Sequence, residues 1–288
     1  MYAAIAANVV IATTKFVAAW ISSSSALFSE GLHSLVDSGD GLLLLLGMHL
    51  SRRAANARHP YGHGGEVYFW SMIVAMSIFV MGGGVSIYEG IIHLEEPMVP
   101  TNTLVSYGVL AAAFLFEGIS LVISLRGFRA ERGKRGVWET IERSKDPTTF
   151  VVVLEDSAAL VGILVAATGV TLAVWFDAAI FDAIASIVIG VVLLGVGFVL
   201  GRETRSLLLG ESASREMVAS IRSIARAQPG VRDAQCPRTM HIGPRFVHVD
   251  LDVDIDGSSS GVDVSRRIEE AVRAKHPQVH RVSIRFPG

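Results

Sequence analysis

The chain has 288 residues, of which 51% are hydrophobic, and its mean hydropathy of +0.48 is higher than a soluble protein of this size normally reaches. Its formal net charge of -2 argues against a nucleic-acid partner. The single cysteine, Cys236, excludes an intramolecular disulfide framework and a metal site built from several cysteines.

Six apolar blocks are long enough to cross the ~30 Å hydrocarbon core of a bilayer as helices. The first block lacks the positive leading region and the short core of a signal peptide, so we expect it to be a true first span. The sequence therefore predicts an α-helical membrane protein with six transmembrane helices. The predicted spans are 2–21, 27–50, 67–94, 103–126, 148–173 and 178–201.

Lysine and arginine alternate along the chain in a way that predicts its orientation. The links near 22–26, 95–102 and 174–177 contain neither residue, whereas the other links and the segment after the sixth block are rich in them. By the positive-inside rule both termini are cytoplasmic, and we expect a plasma or inner membrane. The basic residues are Arg52, Arg53, Arg58, Arg126, Arg129, Arg132, Lys134, Arg135, Arg143, Lys145, Arg202 and Arg205.

After Arg205 the composition changes to that of a soluble domain. Residues 217–227 and 260–275 have helical periodicity, while Phe246–Ile255 and Val279–Phe286 alternate with a period of two, as half-buried strands do. The turn at 242–245 predicts a hairpin between 232–242 and 246–255. The resulting order α-β-β-α-β is typical of a small α+β, split-βαβ domain.

We therefore expect two domains, a membrane domain at 1–205 and a cytoplasmic domain at 206–288. The second domain is small, and a core of that size is marginal by itself. Dimerisation through this domain is the consequence we expect.

The second apolar block carries four ionisable residues, Glu30, His33, Asp37 and Asp40, within one helical arc of roughly 80°. Ionisable groups at membrane depth cost at least ~2.5–3.5 kcal/mol each, so a face with four of them needs a partner, water or an ion. At ~1.5 Å per residue, His33 and Asp37 lie about 9–15 Å deep, near the middle of the bilayer.

The fifth block runs in the opposite direction and brings Asp156 to a similar depth, with Glu155 beside it. One imidazole and two or three carboxylates suit a borderline divalent ion such as Zn²⁺. The alternative is that His33 and Asp37 simply hydrogen-bond to each other within the bundle. Asp40 could contact water on the cytoplasmic side.

Other charged residues of the apolar blocks leave two interpretations open. Lys15 could neutralise acidic residues of the bundle or extend towards the cytoplasmic end. Glu30 is placed near the outer mouth. Glu117, about halfway through the fourth block, could make a structural polar contact or relay protons.

Three segments together resemble the cation diffusion facilitator family, and most of all its zinc transporter nine-like subgroup. They are Ser29–Asp37, the His-Pro-Tyr-Gly-His-Gly stretch at 59–64, and Asp146-Pro147-Thr148 leading to Leu154–Leu160. The resemblance covers essentially the whole chain. It implies six spans and a ferredoxin-like cytoplasmic domain, and a homodimeric exporter of a divalent metal, usually Zn²⁺, that exchanges metal for protons by alternating access.

The chain departs from the better-described zinc members of that family in the fifth block. Their histidine four positions before the aspartate is Val152 here, and Glu155 stands next to Asp156 instead. Either Glu155 or a water molecule could complete the site. We therefore take His33, Asp37, Asp156 and Glu155 as the candidate metal ligands, with Asp40 as a further candidate.

Two other metal sites of the family are altered. His59 and His63 match a pair that binds a secondary ion in some relatives, but the third, acidic position is Asn56; the two histidines could instead order the start of the third span with Glu66. In the cytoplasmic domain Asp250 falls at one ligand position, whereas Arg285 and Pro287 occupy two others, and an arginine repels a cation. We expect a dimerisation element without a strong structural metal site.

The expected function is transport of Zn²⁺, with Mn²⁺, Fe²⁺ and Co²⁺ as alternative cargo. The expected partners are a second copy of the chain, the lipid bilayer and protons. Two other classes remain open. One is a membrane-embedded metalloenzyme with Glu155 as its general base, although the sequence has no His-Glu-x-x-His motif. The other is a structural or sensory membrane protein whose buried charges only fix its packing.

Overall fold

The computed structural model describes residues 2–96, 100–132, 136, 140–141, 144–257 and 259–287. Three of the basic residues used to predict the orientation, Lys134, Arg135 and Arg143, lie outside the described residues, as does the side chain of Arg132.

A helix lies at each of the six apolar blocks. The third block forms one continuous helix in two parts, α3 and α4, joined by a π-helical segment at Ile78–Gly84. The bounds are α1 Tyr2–Ser22, α2 Ser25–Ser51, α3 Glu66–Ser77, α4 Val85–Glu95, α5 Thr103–Arg132, α6 Pro147–Trp175 and α7 Ile180–Leu209.

Within the described residues, four of these helical stretches are long and apolar enough to cross a membrane: Glu66–Glu95, Thr103–Arg129, Phe150–Trp175 and Ile180–Leu209. In α1 a shorter stretch, Asn8–Ser22, is apolar in the same sense. The helical character of all six blocks is thus confirmed, while the crossing of the membrane by α1 and α2 stays a prediction.

The chain forms two compact units. One comprises residues 1–47 and 69–204, and the other comprises 48–68 and 205–288. In the first unit α5 packs along α6 and also against α1. The short segment between α2 and α3 therefore belongs to the same unit as the C-terminal domain.

Carboxylates fix two of the helix starts in the first unit. Asp146 caps α6 by accepting from the backbone N–H of Thr148 at 3.1 Å, with Pro147 in the first turn. At the start of α2, Asp182 of α7 accepts from the N–H of Ser25 at 2.6 Å and from that of Ala26 at 3.3 Å. A carboxylate at a helix N-terminus satisfies free N–H groups and complements the helix dipole, so Asp182 ties α7 to α2.

The C-terminal domain is a mixed four-stranded sheet with two helices. β3 is the central strand; β1 and β2 pair with it antiparallel and β4 pairs with it parallel. The alternation predicted for β3 is confirmed, because Val247, Val249, Leu251 and Val253 are all buried. The elements are α8 Arg215–Arg226, β1 Val231–Ala234, β2 Arg238–Gly243, β3 Phe246–Ile255, α9 Gly261–Lys275 and β4 Val279–Arg285.

The strand predicted at 232–242 is broken into two. Ala234 pairs with Val253 and Arg238 pairs with Asp250, so β1 and β2 follow each other along the same edge of β3. Pro237 lies in the break, and proline has no N–H to give to a strand partner. Apart from this break, the predicted order α-β-β-α-β describes the domain.

The segment between α2 and α3 packs on the turn between β2 and β3. Gly64 and Gly243 meet backbone to backbone, so closely that a Cβ on Gly243 would lie 2.8 Å from the Cα of Gly64. The ring of Tyr61 lies edge-on to His248, at 5.7 Å between centroids, and under the guanidinium of Arg281, at 5.8 Å. Only glycine permits this approach of the two backbones.

Candidate metal centre

The buried face of α2 holds the first two candidate ligands. His33 and Asp37 are one helical turn apart, and His33 Nδ1 lies 3.5 Å from Asp37 Oδ1. That separation is too long for a good hydrogen bond, and neither ring nitrogen of His33 nor Oδ1 of Asp37 has a hydrogen-bond partner. A mutual hydrogen bond therefore does not account for their burial in this structure.

Asp156 on α6 is held by two hydroxyl groups of α5. Ser124 donates to Asp156 Oδ2 at 2.8 Å, and the hydroxyl of Ser120 lies 3.1 and 3.2 Å from the two carboxylate oxygens. These donors leave the remaining lone pairs of Asp156 open to a cation.

Further carboxylates gather around these residues. Asp37 is close enough to Asp40, Glu117 and Asp156 to interact with each of them electrostatically. Glu155 is buried and interacts in the same way with Asp40 and Asp37. The structure therefore brings the acidic residues of α2, α5 and α6 into one neighbourhood.

Many polar atoms in this neighbourhood lack a hydrogen-bond partner. They include Oε1 of Glu155 and Oε1 of Glu117, in addition to the His33 and Asp37 atoms. The Ser77 hydroxyl lies near Asp40, but neither carboxylate oxygen of Asp40 makes a hydrogen bond of normal geometry. Buried polar groups are normally paired, and each exception calls for a ligand, water or ion.

The candidate ligands do not yet surround one point in space. Among the residues that the structure describes, no three histidine, cysteine or acidic side chains are arranged so that they could hold a single metal ion. In the part of the chain that the structure describes, the neighbourhood is therefore a set of open donors that do not converge on one ion.

The sequence identified Glu117 but missed Ser120 and Ser124. Positions 117, 120 and 124 fall within one arc of about 60° on α5, so a polar face opposite α6 was readable from the spacing. Single serines inside an apolar helix normally bond to their own backbone, which is why they carried little signal.

The histidines of the segment between α2 and α3 form a separate cluster. The rings of His59 and His63 lie 4.3 Å apart, and the amide nitrogen of Asn56 lies 3.0 Å from His63 Nε2. His63 Nδ1 is 3.9 Å from Glu66 Oε1, and the N–H of Glu66 donates to the carbonyl of His63. These contacts are those of an ordered helix start, the alternative interpretation of the two histidines.

In the C-terminal domain, Asp250 Oδ1 lies 3.1 Å from His248 Nε2, within hydrogen-bond distance, on one face of β3. Arg285 pairs instead with Asp252, its Nε donating to Oδ1 at 2.7 Å. The positive charge of Arg285 therefore neutralises a carboxylate of β3.

These features define a class: a helical membrane protein with buried, unpaired acidic and imidazole groups and a C-terminal α+β domain. A family model for the cation efflux transmembrane domain matches residues 1–209, and one for the cation efflux protein cytoplasmic domain matches residues 213–286. The chain belongs to the cation efflux family, which confirms the resemblance drawn from the sequence.

Three relatives illustrate the range of the family. The chain is 33% identical over 242 residues to the mitochondrial proton-coupled zinc antiporter SLC30A9 of Xenopus laevis, covering 83% of this chain and 43% of that protein. It is 31% identical over 252 residues to metal tolerance protein C4 of Arabidopsis thaliana, covering 87% and 55%. It is 23% identical over 289 residues to the manganese efflux system protein MneP of Bacillus subtilis, covering 98% and 92%.

The chain spans about half the length of the first two of these relatives. The family is one of cation efflux proteins and the first of these relatives is named an antiporter, so the prediction that the chain is not an enzyme is confirmed.

Proposed function

We propose that the protein transports a divalent metal ion, Zn²⁺ in the first place, out of the cytoplasm in exchange for protons. The observation that carries the proposal is the group of buried imidazole and carboxylate atoms without partners on α2, α5 and α6. Such groups inside a membrane protein mark ion pathways. The name of the zinc antiporter relative supports the choice of ion and of counter-substrate.

The ligands in this proposal are His33, Asp37 and Asp156, with Glu155 or water as the fourth. Metal binding needs a neutral histidine and ionised carboxylates, so an arriving ion displaces protons and returning protons release it. The open arrangement of the donors fits alternating access, in which the two conformations differ in their affinity for metal and protons.

The membrane arrangement in this proposal has six spans, both termini in the cytoplasm, and a plasma or inner membrane as the location. Residues 1–205 form the transport domain, and residues 206–288 form a ferredoxin-like domain through which two chains make a homodimer. The marginal size of the C-terminal core supports dimerisation.

Mn²⁺ is the second candidate cargo. Carboxylate oxygens suit Mn²⁺ better than they suit Zn²⁺, and Glu155 in place of a histidine makes the ligand set richer in oxygen. The similarity to a manganese efflux protein over nearly the whole chain supports this alternative. Fe²⁺ and Co²⁺ remain further alternatives.

The test is metal-dependent proton flux in proteoliposomes that contain the full chain, with Zn²⁺, Mn²⁺, Fe²⁺ and Co²⁺ compared. We expect His33→Ala, Asp37→Asn and Asp156→Asn each to reduce flux to the level of empty vesicles. Each variant removes a ligand that replaces the water molecules the ion loses on entering the membrane. Transport by His33→Ala at the wild-type rate would contradict the assignment of His33 as a ligand. No response of the wild type to any metal would favour a structural or sensory protein.

Glu155→Gln decides between the two forms of the site. Loss of zinc flux makes Glu155 a ligand or a proton carrier, and retained flux leaves a three-ligand site completed by water. The matched control is Glu89→Gln, which removes a membrane-helix carboxylate that lies 3.4 Å from His93 Nδ1 and is not a candidate ligand. Glu89→Gln should transport at the wild-type rate.

A further inference from the structure

A cleft of about 810 Å³ opens in the C-terminal domain, between α8 and the break that separates β1 from β2. α8 contributes Arg215, Arg222 and Arg226 to its lining, and the break contributes Cys236 and the buried Pro237. The volume is that of pockets that hold small molecules. In the described part of the chain, no acidic side chain is among the residues that line the cleft. A negatively charged ligand is the kind that this lining suits.

The three arginines form one stripe along α8. Positions 215, 222 and 226 fall within an arc of about 40°, and they are spaced by about 10 Å and 6 Å along the helix axis. Ala219 lies close to the same stripe and also lines the cleft, so only a methyl group separates the first two guanidinium groups. Long side chains with this spacing can converge on one ligand lying along the helix.

Two of the arginines have guanidinium nitrogens to spare. Arg222 is half-buried, and its Nε donates to the carbonyl oxygen of Ala234 at 2.8 Å. Its two terminal nitrogen atoms make no hydrogen bond or ion pair with any residue that the structure describes, so an anchored guanidinium keeps four N–H donors. Arg215 is exposed and is likewise without a hydrogen bond or ion pair to the described residues.

The third arginine is partly neutralised. Arg226 donates to Asp233 Oδ1 through Nε at 2.7 Å and through a terminal nitrogen at 2.6 Å. Three guanidinium groups and one carboxylate leave an excess of two positive charges at the cleft. Guanidinium groups match phosphate and carboxylate oxygens in geometry. The hydroxyl groups of Ser212 and Ser223 also line the cleft, and a phosphate group has the larger number of acceptor oxygens for such donors.

We propose that this cleft binds an organic phosphate that carries at least two phosphate groups. Arg222 is the anchored contact, and Arg215 and Arg226 reach the phosphate groups from either side of it. The non-polar side chains of Val218 and Pro237 face the organic part of the ligand. A soluble nucleotide and the headgroup of a phosphoinositide lipid share this chemistry. The binding does not rest on the proposed transport, since the cleft contains none of the candidate metal ligands.

Cys236 provides the measurement, because it is the single cysteine of the chain, is exposed, and lines the cleft. The full chain in detergent, with a chelator and no added metal, is treated with the uncharged reagent N-ethylmaleimide, and the modified fraction is followed by intact mass. ATP should slow the reaction in proportion to occupancy. Sodium sulfate at the same ionic strength gives the baseline, and adenosine, which has no phosphate, should leave the rate at that baseline.

Removal of a guanidinium group should weaken this protection. We expect Arg215→Gln and Arg222→Gln each to raise the half-protecting ATP concentration about tenfold or more, because each variant loses a charge-assisted contact. Arg215 makes no contact that the fold needs, so its variant keeps the test available if Arg222→Gln fails to fold. The matched control is Arg232→Gln, which removes an exposed arginine of β1 that lies 3.7 Å from Asp254 and does not line the cleft.

The source of the phosphate groups is distinguished in a second arm. The full chain is placed in nanodiscs of phosphatidylcholine, with or without a phosphatidylinositol bisphosphate, and the same reaction is followed without nucleotide. Slower modification in the discs that contain the phosphoinositide, lost in Arg215→Gln, identifies a lipid headgroup, whereas protection by ATP in detergent identifies a soluble ligand.

The proposal is overturned if neither ATP nor the phosphoinositide slows the reaction beyond the sulfate baseline. It is also overturned if adenosine protects as well as ATP does, or if Arg215→Gln and Arg232→Gln are protected equally. These outcomes are separate from those of the flux experiment. A wild-type protein that moves no metal refutes transport, yet its Cys236 still reports on the cleft.

Discussion

At the scale of single residues, the two serines of α5 define how Asp156 can act. Ser120 and Ser124 are one turn apart, and both hydroxyls reach the same carboxylate. Hydrogen bonds to a charged acceptor are stronger than neutral ones and fix its direction. In metal sites generally, loss of a partner that orients a ligand typically lowers metal affinity by about 10- to 100-fold.

We predict that Ser124→Ala lowers the apparent affinity for the transported ion about tenfold, because Asp156 loses its shortest hydrogen bond. Ser124→Thr keeps the hydroxyl and should retain the affinity. The measurement is the metal concentration at half-maximal flux. Ser157→Ala is the matched control, since Ser157 lies beside Asp156 in sequence but bonds to the carbonyl of Val153. Equal affinities for Ser124→Ala and Ser157→Ala would contradict an orienting role.

The residues of the centre were readable from the sequence to different degrees. His33, Asp37 and Asp156 stand out because an ionisable group inside an apolar block is expensive. The pairing of Lys15 Nζ with Glu30 Oε2, at 2.9 Å, was not readable, since the choice between pairing and extension to the membrane surface depends on how α1 packs on α2. Gly31 allows close packing there, with Phe16 in contact range of a Cβ at that position.

At the scale of elements, glycines hold the π-helical segment and α4 against α7. A Cβ on Gly190 would lie 2.8 Å from the carbonyl oxygen of Gly83, and one on Gly90 would lie 2.9 Å from that of Ala183. Contacts this short between backbones are the means by which membrane helices pack without a hydrophobic driving force. The π-helical turn itself gives the helix an irregular backbone at the same contact.

We predict that Gly190→Ala destabilises the membrane unit by about 1–3 kcal/mol, because the added methyl group must push α4 away from α7. The measurement is the midpoint of thermal unfolding in detergent. Gly195→Ala is the matched control on the same helix, since a Cβ there meets nothing within 4 Å. Alanine is the better helix former, so Gly195→Ala should be neutral or slightly stabilising. Equal midpoints for the two variants would contradict tight packing at Gly190.

The elements were largely predictable, and the exceptions have local causes. Long apolar blocks and the two-residue alternation of β3 place helices and the central strand close to their observed bounds. The break between β1 and β2 is an effect of Pro237, which the pattern of hydrophobic residues hides. The π-helical segment leaves no trace in hydropathy, because its residues remain apolar.

At the scale of the whole chain, the position of the segment between α2 and α3 could not be predicted from the sequence. Its contact with the turn between β2 and β3 joins residues almost 180 positions apart, Gly64 and Gly243, and depends on two glycines that look like ordinary loop residues. The segment continues directly into α2, which carries His33 and Asp37. Its attachment to the C-terminal domain therefore links that domain along the chain to the helix with the candidate ligands.

We predict that Gly243→Ala loosens this attachment, because its methyl group would lie 2.8 Å from the Cα and 2.9 Å from the carbonyl oxygen of Gly64. The expected result is faster tryptic cleavage at the exposed Arg58, by about fivefold or more if local opening becomes easier by about 1 kcal/mol or more. The measurement is the rate of appearance of the two fragments from the folded full chain.

The matched control for this last experiment is Gly65→Ala. A Cβ on Gly65 would lie 3.6 Å from the carbonyl oxygen of Ile242, an ordinary contact, although the residue is next to Gly64. Gly65→Ala should be cleaved at the wild-type rate. If Gly243→Ala is cleaved no faster than Gly65→Ala, the approach of the two glycine backbones contributes nothing to the attachment of the segment. The segment is then held by its other contacts, such as those of Tyr61 with His248 and Arg281.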